Sequence, residues 1–313
     1  MYIIITIILI IVFALIIGCF YFYEVAIART KKEFLQRNPH LKNGSDKIIS
    51  NEAKEWYKSR EFERITISSF DGLKLQAAFL YANCKSNKLV ILAHGYAGKG
   101  EMMSSYAKYY HEKLGFHVLI PDARGHGESE GDYIGFGWHE RRDYLLWIDK
   151  MVRKFGNDTE IVLHGVSMGA ATVLMTSGEQ LPPQVKAVIA DCSFTSAKDV
   201  LTYQLKQMYK LPSFPMIPLT SILTNWRAGY SFKEASALVQ VKKATAPILF
   251  IHGERDTFVP LYMVYELYAS ANSSKELYIV EHARHGNAYE TNPDEYEKQI
   301  YAFINKYMSH IAT

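Results

Sequence analysis

The sequence predicts an α/β fold, a mostly parallel central sheet with helices on both faces, preceded by one apolar N-terminal helix. Three observations lead there. Six short β-rich runs, KLVILAHG, FHVLIPDARG, EIVLHGVSMG, VKAVIADCSF, PILFIHGERD and KELYIVEHARH, recur along the chain with helical stretches between them. Uninterrupted apolar runs separated by helices make a parallel sheet covered on both sides. The unusual polar residues, His94, Asp122, Ser167, Asp191, Asp256 and His285, fall at the carboxyl ends of those runs, which is where open α/β sheets bind ligands. Finally, the chain begins YIIITIILIIVFALIIGCFYFY after Met1, without a charge until Glu24.

A chain of 313 residues holds one large α/β domain and an appendage. Its composition, 49% apolar and 21% charged, is that of an ordinary globular protein. The net charge is +3 and the basic residues are interspersed with acids, so the basic stripe expected of a nucleic-acid binder is missing. Cys19, Cys84 and Cys192 form an odd set with no C-x-x-C pair, which excludes a disulfide framework or a zinc cluster. Cys84 and Cys192 are expected to be small buried hydrophobes. The eleven histidines include no H-E-x-x-H or H-x-H cluster, so neither a metal nor a cofactor is expected.

Residues 1–23 read as a transmembrane anchor, because about 22 apolar residues span about 33 Å as a helix, the depth of a bilayer core. The aromatic cluster Phe20 to Tyr23 suits a headgroup belt. Arg29, Lys31 and Lys32 follow the span and no basic residue precedes it, which places the remainder on the cytoplasmic side. Ile16-Ile17-Gly18-Cys19 resembles a lipoprotein cleavage box, but the missing basic n-region and the apolar run beyond Cys19 favour an uncleaved anchor. Residues 24–59 are expected to be a connector and 60–313 the folded domain. Within it, FERITISSF and LKLQAAFLYA form a hairpin about Asp71-Gly72. From about 195 to 245 the strand rhythm breaks, and LPSFPMIP with its helical flanks reads as a lid over an apolar pocket.

The chemistry centres on Gly165-Val166-Ser167-Met168-Gly169, between the strand EIVLH and the helix-forming AATVLM. A serine on a tight strand-to-helix turn is lifted out of the sheet, and its flanking glycines remove side chains that would clash. A serine hydroxyl needs a base. His282 and His285 both follow the last strand, and His285, in the loop before Gly286, is preferred. The base in turn needs an acid, and chain order places it between the serine and the histidine. Asp256 in HGERDTFVP is preferred, with Asp191 as the competitor. Backbone N–H groups of Met168 and of Tyr96, in His94-Gly95-Tyr96-Ala97-Gly98, are the expected oxyanion donors.

With these segments in order, the sequence resembles the α/β-hydrolase superfamily from about Phe62 to the C-terminal helix. HGYAG looks like its oxyanion loop, DARGHGES like the loop after the next strand, GVSMG like its nucleophile elbow, HGERDTFVP like its acid loop and HARHGNAY like its histidine loop. NPDEYEKQIYAFINKYM resembles the final helix of its prolyl-oligopeptidase-like and bacterial esterase branches. The resemblance implies an α/β-hydrolase fold with a helical lid and a serine hydrolase acting on a carboxylic ester or lipid-like substrate, of the single-pass membrane-anchored kind. A prolyl-oligopeptidase-like peptidase and a non-catalytic binding protein are the alternatives.

Overall fold

In a computed structural model, which describes residues 1–32 and 50–309, the six apolar runs become parallel strands. They are β3 (Lys88–Ala93), β4 (His117–Pro121), β5 (Glu160–Val166), β6 (Val185–Asp191), β7 (Ile248–Gly253) and β8 (Lys275–Val280), and they lie in the order β4-β3-β5-β6-β7-β8. The hairpin β1 (Glu63–Ser68) and β2 (Lys74–Leu80) extends the β4 edge in antiparallel pairing to give eight strands. Because side chains alternate across a strand, β3 sends Leu89, Ile91 and Ala93 to one core and Val90 and Leu92 to the other.

An apolar helix of 25 residues, α1 (Tyr2–Ala26), begins the chain. It is followed by α2 (Asn51–Lys58), α3 (Glu140–Phe155), α4 (Met168–Ser177), α5 (Ala197–Gln204), α6 (Met216–Ala228), α7 (Tyr262–Ser270) and α8 (Pro293–Ile304). Trp147 and Met151 of α3, all of α4 and Met263 of α7 cover one face; Trp56 of α2 with Tyr296, Ile300 and Phe303 of α8 covers the other. The stretch between β6 and β7, where the strand rhythm breaks, holds α5, α6 and the turns around them, and is called the lid below.

The segment after the apolar helix is tied down. The helix runs to Ala26, three residues past the expected end of the anchor. Arg29 then donates to the carbonyls of Ser129 at 2.7 Å and Gly127 at 2.8 Å, and Ala28 bridges Tyr133. Lys32 turns back and donates to the carbonyls of Val25 and Ala28 at 2.8 and 2.6 Å, supplying donors that a helix C-terminus lacks. The described parts of the connector, residues 24–32 and 50–59, thus pack on the domain; residues 33–49 lie outside the described residues. The burial expected of Cys84 is wrong: Cys192 is buried but Cys84 is exposed, because it follows the end of β2 in a surface turn.

An ion cluster centred on a buried arginine joins the hairpin to the helical layer. Arg124, fully buried, donates to both carboxylate oxygens of Asp143 on α3 at 2.7 and 2.8 Å, and to Asp71 in the hairpin turn at 2.7 Å. Removing one partner of such a pair leaves a buried uncompensated charge, which costs about 3–5 kcal/mol. Arg124→Met is therefore expected to lower unfolding free energy by about that amount, and Arg124→Met/Asp143→Leu to recover much of it. Denaturant unfolding of both variants checks this, and a loss from the single variant no larger than that of an ordinary surface change would contradict it.

Candidate active site

Ser167 stands at the junction of β5 and α4 with φ 56° and ψ −115°, a conformation that side chains other than glycine rarely adopt. The neighbouring glycines explain how the turn is possible. A Cβ on Gly169 would come within 1.9 Å of the Ala93 carbonyl oxygen, and one on Gly165 within 2.2 Å of the Gly169 carbonyl oxygen. Only bare backbone fits at either place, so the first turn of α4 packs directly on the end of β3 and pushes Ser167 outward.

Of the two candidate histidines, the structure brings His285 to the serine. Ser167 Oγ lies 2.8 Å from His285 Nε2, and His285 Nδ1 lies 2.7 Å from Asp256 Oδ2. His282 adopts φ 63°, and its exposed ring faces Glu254. Asp191 is also placed elsewhere: fully buried, it accepts from the Tyr296 hydroxyl at 2.9 Å, and burial raises its pKa to about 6.

Asp256 is held as a carboxylate from several sides. Burial opposes its charge, but His285 and His252 overcome this and hold its pKa well below the usual range. Its Oδ1 accepts from the backbone N–H groups of Phe258 and Val259 at 2.9 and 2.8 Å. His252, at the end of β7, points its Nε2 at the Val259 carbonyl, 2.9 Å away, and at Asp256 Oδ2, 3.3 Å away. Burial disfavours a charged His252 ring, yet the Asp256 carboxylate raises its pKa above the ordinary value. The role of His252 was missed in the sequence, where the available signal was a histidine four residues before the favoured acid. Cys192, Asp256 and His285 offer ligand atoms within 4.8 Å of one another, but the aspartate and histidine are bonded to each other and the histidine to Ser167.

The loop carrying Tyr96 is fixed by two histidines that the sequence had not singled out for a task. His94 accepts from the Ala123 N–H at 3.0 Å and bonds the Gly95 carbonyl at 2.8 Å, while His126 accepts from the Ala97 N–H at 3.2 Å. Burial lowers the pKa of His126 to about 3, so its ring is neutral and free to accept. The DARGHGES segment thereby braces HGYAG. Gly95 lies against the Ser167 side chain, and Met168 is the first residue of α4, so both expected donor segments flank the serine.

Ser167 opens on an apolar cavity of about 100 Å³ whose mouth widens into solvent. Tyr96, Phe136 and Phe194 form its floor, while Leu201, Leu205 and Met208 from the α5 region and Met216 and Ile217 from α6 form its roof. One further wall was not foreseen: Phe22, Val25 and Ala26 of the N-terminal apolar helix line it. The Tyr96 hydroxyl secures that wall by donating to the Ala26 carbonyl at 2.8 Å.

An eight-stranded, mostly parallel sheet with a serine at a strand-to-helix elbow and a helical lid defines the α/β-hydrolase fold. The sequence matches the prolyl oligopeptidase family, Peptidase_S9, over residues 102–310, and the chain belongs to that family. It is 33% identical over 218 residues to the uncharacterized protein YqkD of Bacillus subtilis, covering 69% of this chain and 70% of that protein. It is 29% identical over 199 residues to the lysophosphatidylserine lipase ABHD12 of Danio rerio, covering 61% of this chain and 49% of that protein. Among solved structures, the Pyrococcus furiosus esterase Pf2001 is similar with a TM-score of 0.65 and 24% identity, over 80% of this chain and 94% of that one.

Proposed function

We propose that this chain is a membrane-anchored serine hydrolase that cleaves carboxylic esters carrying an apolar acyl group. The observation that carries the proposal is the unbroken line Ser167 Oγ, His285, Asp256, with links of 2.8 and 2.7 Å, opening on an apolar cavity. Ser167 attacks the ester carbonyl while His285 Nε2 takes its proton, and the N–H groups of Tyr96 and Met168 receive the oxyanion. As the carbon–oxygen bond to the alcohol breaks, His285 returns the proton to the leaving alkoxide, leaving an acyl-enzyme. Water then attacks with His285 as base, releasing the carboxylic acid and restoring Ser167. Asp256 holds the Nδ1 proton and stabilises the imidazolium; all the groups needed belong to the chain itself.

The family name favours a second reading, peptide cleavage. The cavity beside Ser167 is lined almost wholly by carbon, with no charged side chain among the described residues to grip a peptide terminus, and this supports the ester reading. The lysophosphatidylserine lipase named above lends further support to a lipid-like ester. The 25-residue apolar helix is long enough to cross a bilayer, and Arg29, Lys31 and Lys32 after it support a cytoplasmic catalytic domain by the positive-inside rule.

The test is to label the purified protein with a fluorophosphonate, map the modified residue, and compare p-nitrophenyl esters of graded chain length with aminoacyl and peptide amides. Modification at Ser167 and faster turnover of esters are expected. Faster amide turnover would transfer the activity to the peptidase reading, and no labelling would leave a binding protein.

A further inference from the structure

The lid is joined to the apolar helix along its length. Met216, at the start of α6, packs on Gly18, where a Cβ would meet the Met216 methyl at 3.0 Å. Phe22 meets Tyr209 edge to face at 5.1 Å between ring centres. At the other end of α6, Arg227 lies over the Tyr23 ring at 4.8 Å and within 3.5 Å of Glu24. The two helices therefore run in the same sense, with Met216 beside Gly18 and Arg227 beside Glu24. Glu24 lies six residues after Gly18, so the start of the lid helix lies about 9 Å nearer the N-terminus of the apolar helix than its charged end.

The outer surface of the lid has the matching composition. Ile222 and Trp226, one turn apart on α6, are 67% and 78% exposed, and Phe214 just before α6 is 74% exposed. Buried Ile217, Thr220 and Thr224 occupy the opposite face, toward the domain. Large apolar side chains held in water on one stripe carry a free-energy penalty; beside a helix that crosses a bilayer, the same stripe lies in lipid. Trp226, next to Arg227, then falls at headgroup depth, where tryptophan is favoured.

We propose that the lid is sunk in the leaflet beside α1 and that the cavity takes a single-chain amphiphilic ester laterally from that leaflet, with Phe22, Val25 and Ala26 of α1 as specificity-determining residues for its acyl chain. This rests on the hydrolase reading above and adds to it a substrate class and a route. The route is short: the residues of α1 that line the cavity are its last turn, and Met216 both lines the cavity and touches Gly18 deeper along the helix. An acyl chain that displaces the flexible Met216 side chain from Gly18 enters the apolar cavity that Ser167 faces, while its polar ester end stays at the interface.

The test uses the full chain in phosphatidylcholine vesicles. Trp226 fluorescence is read with lipids brominated on their acyl chains, with Trp226→Phe subtracting the other three tryptophans. Turnover is then measured with 1-oleoylglycerol carried in the vesicles and with water-soluble p-nitrophenyl acetate. Quenching of Trp226 is expected. Phe214→Asp and Ile222→Asp, outside the cavity, should lower 1-oleoylglycerol turnover tenfold or more and leave p-nitrophenyl acetate unchanged, and Ala26→Trp should shorten the longest p-nitrophenyl acyl chain accepted. Absence of quenching, or equal losses on both substrates in the lid variants, would overturn the proposal. If Trp226 is quenched but fluorophosphonate does not label Ser167, the hydrolase reading has failed and the seating of the lid has not.

Discussion

Ser167→Ala is expected to lower ester turnover by about 10⁶ while leaving KM and folding nearly unchanged. The nucleophile is lost outright, and what remains is rate from substrate binding and from the backbone donors beside it. Folding should be indifferent because the hydroxyl makes one side-chain bond, to His285, at the mouth of a cavity. The backbone turn is set by the close approach of Gly165 and Gly169 to their neighbours, and the serine side chain contributes nothing to it. Steady-state kinetics on a p-nitrophenyl ester, beside a thermal melt, tests both halves. Turnover within tenfold of the parent protein in a well-folded variant would remove Ser167 from the mechanism.

Asp256→Asn is expected to cost about 10⁴ in kcat, and the hydrogen bonds say why. One side-chain oxygen of residue 256 accepts two backbone N–H groups, from Phe258 and Val259. In the asparagine variant the amide oxygen must take that place, which turns the NH₂ group toward His285. The imidazole then accepts at Nδ1 and carries its proton on Nε2, the nitrogen facing Ser167, where it can no longer act as base. Asp191→Asn should change kcat little, since Asp191 accepts from Tyr296 while the His285 ring hydrogen-bonds Ser167 and Asp256. Parallel kinetics of the two variants decide the matter, and a larger loss from Asp191→Asn would give the acid role to that residue.

Asp191 and Asp256 both end a β-rich run, and chain order admits either. The difference lies in the loop after β7, where three residues beyond Gly253 turn the Asp256 carboxylate toward His285. Asp191, the last residue of β6, stays within the sheet and points toward α8. His285 and His282 divide in the same way: three residues place one ring against Ser167 and the other in solvent facing Glu254.

Periodicity, composition and short motifs by themselves determined the parallel sheet, the hairpin about Asp71-Gly72, the elbow at Ser167, the break in strand rhythm after β6, and an N-terminal helix too apolar for water. These are local properties, written in neighbouring residues and in the two repeats of strand and helix. Long-range packing alone decided that Arg124 joins Asp71 to Asp143, that His252 supports Asp256, that His94 and His126 brace the Tyr96 loop, and that Cys84 is exposed. It also decided that the last turn of the apolar helix forms a wall of the cavity. Phe22 and Tyr209 are far apart in the chain, and their contact follows from the docking of α6 on α1 across Gly18 and Met216. The apolar character of residues 20–26 serves a lipid phase and a binding cavity equally well, so no pattern in the sequence could distinguish them.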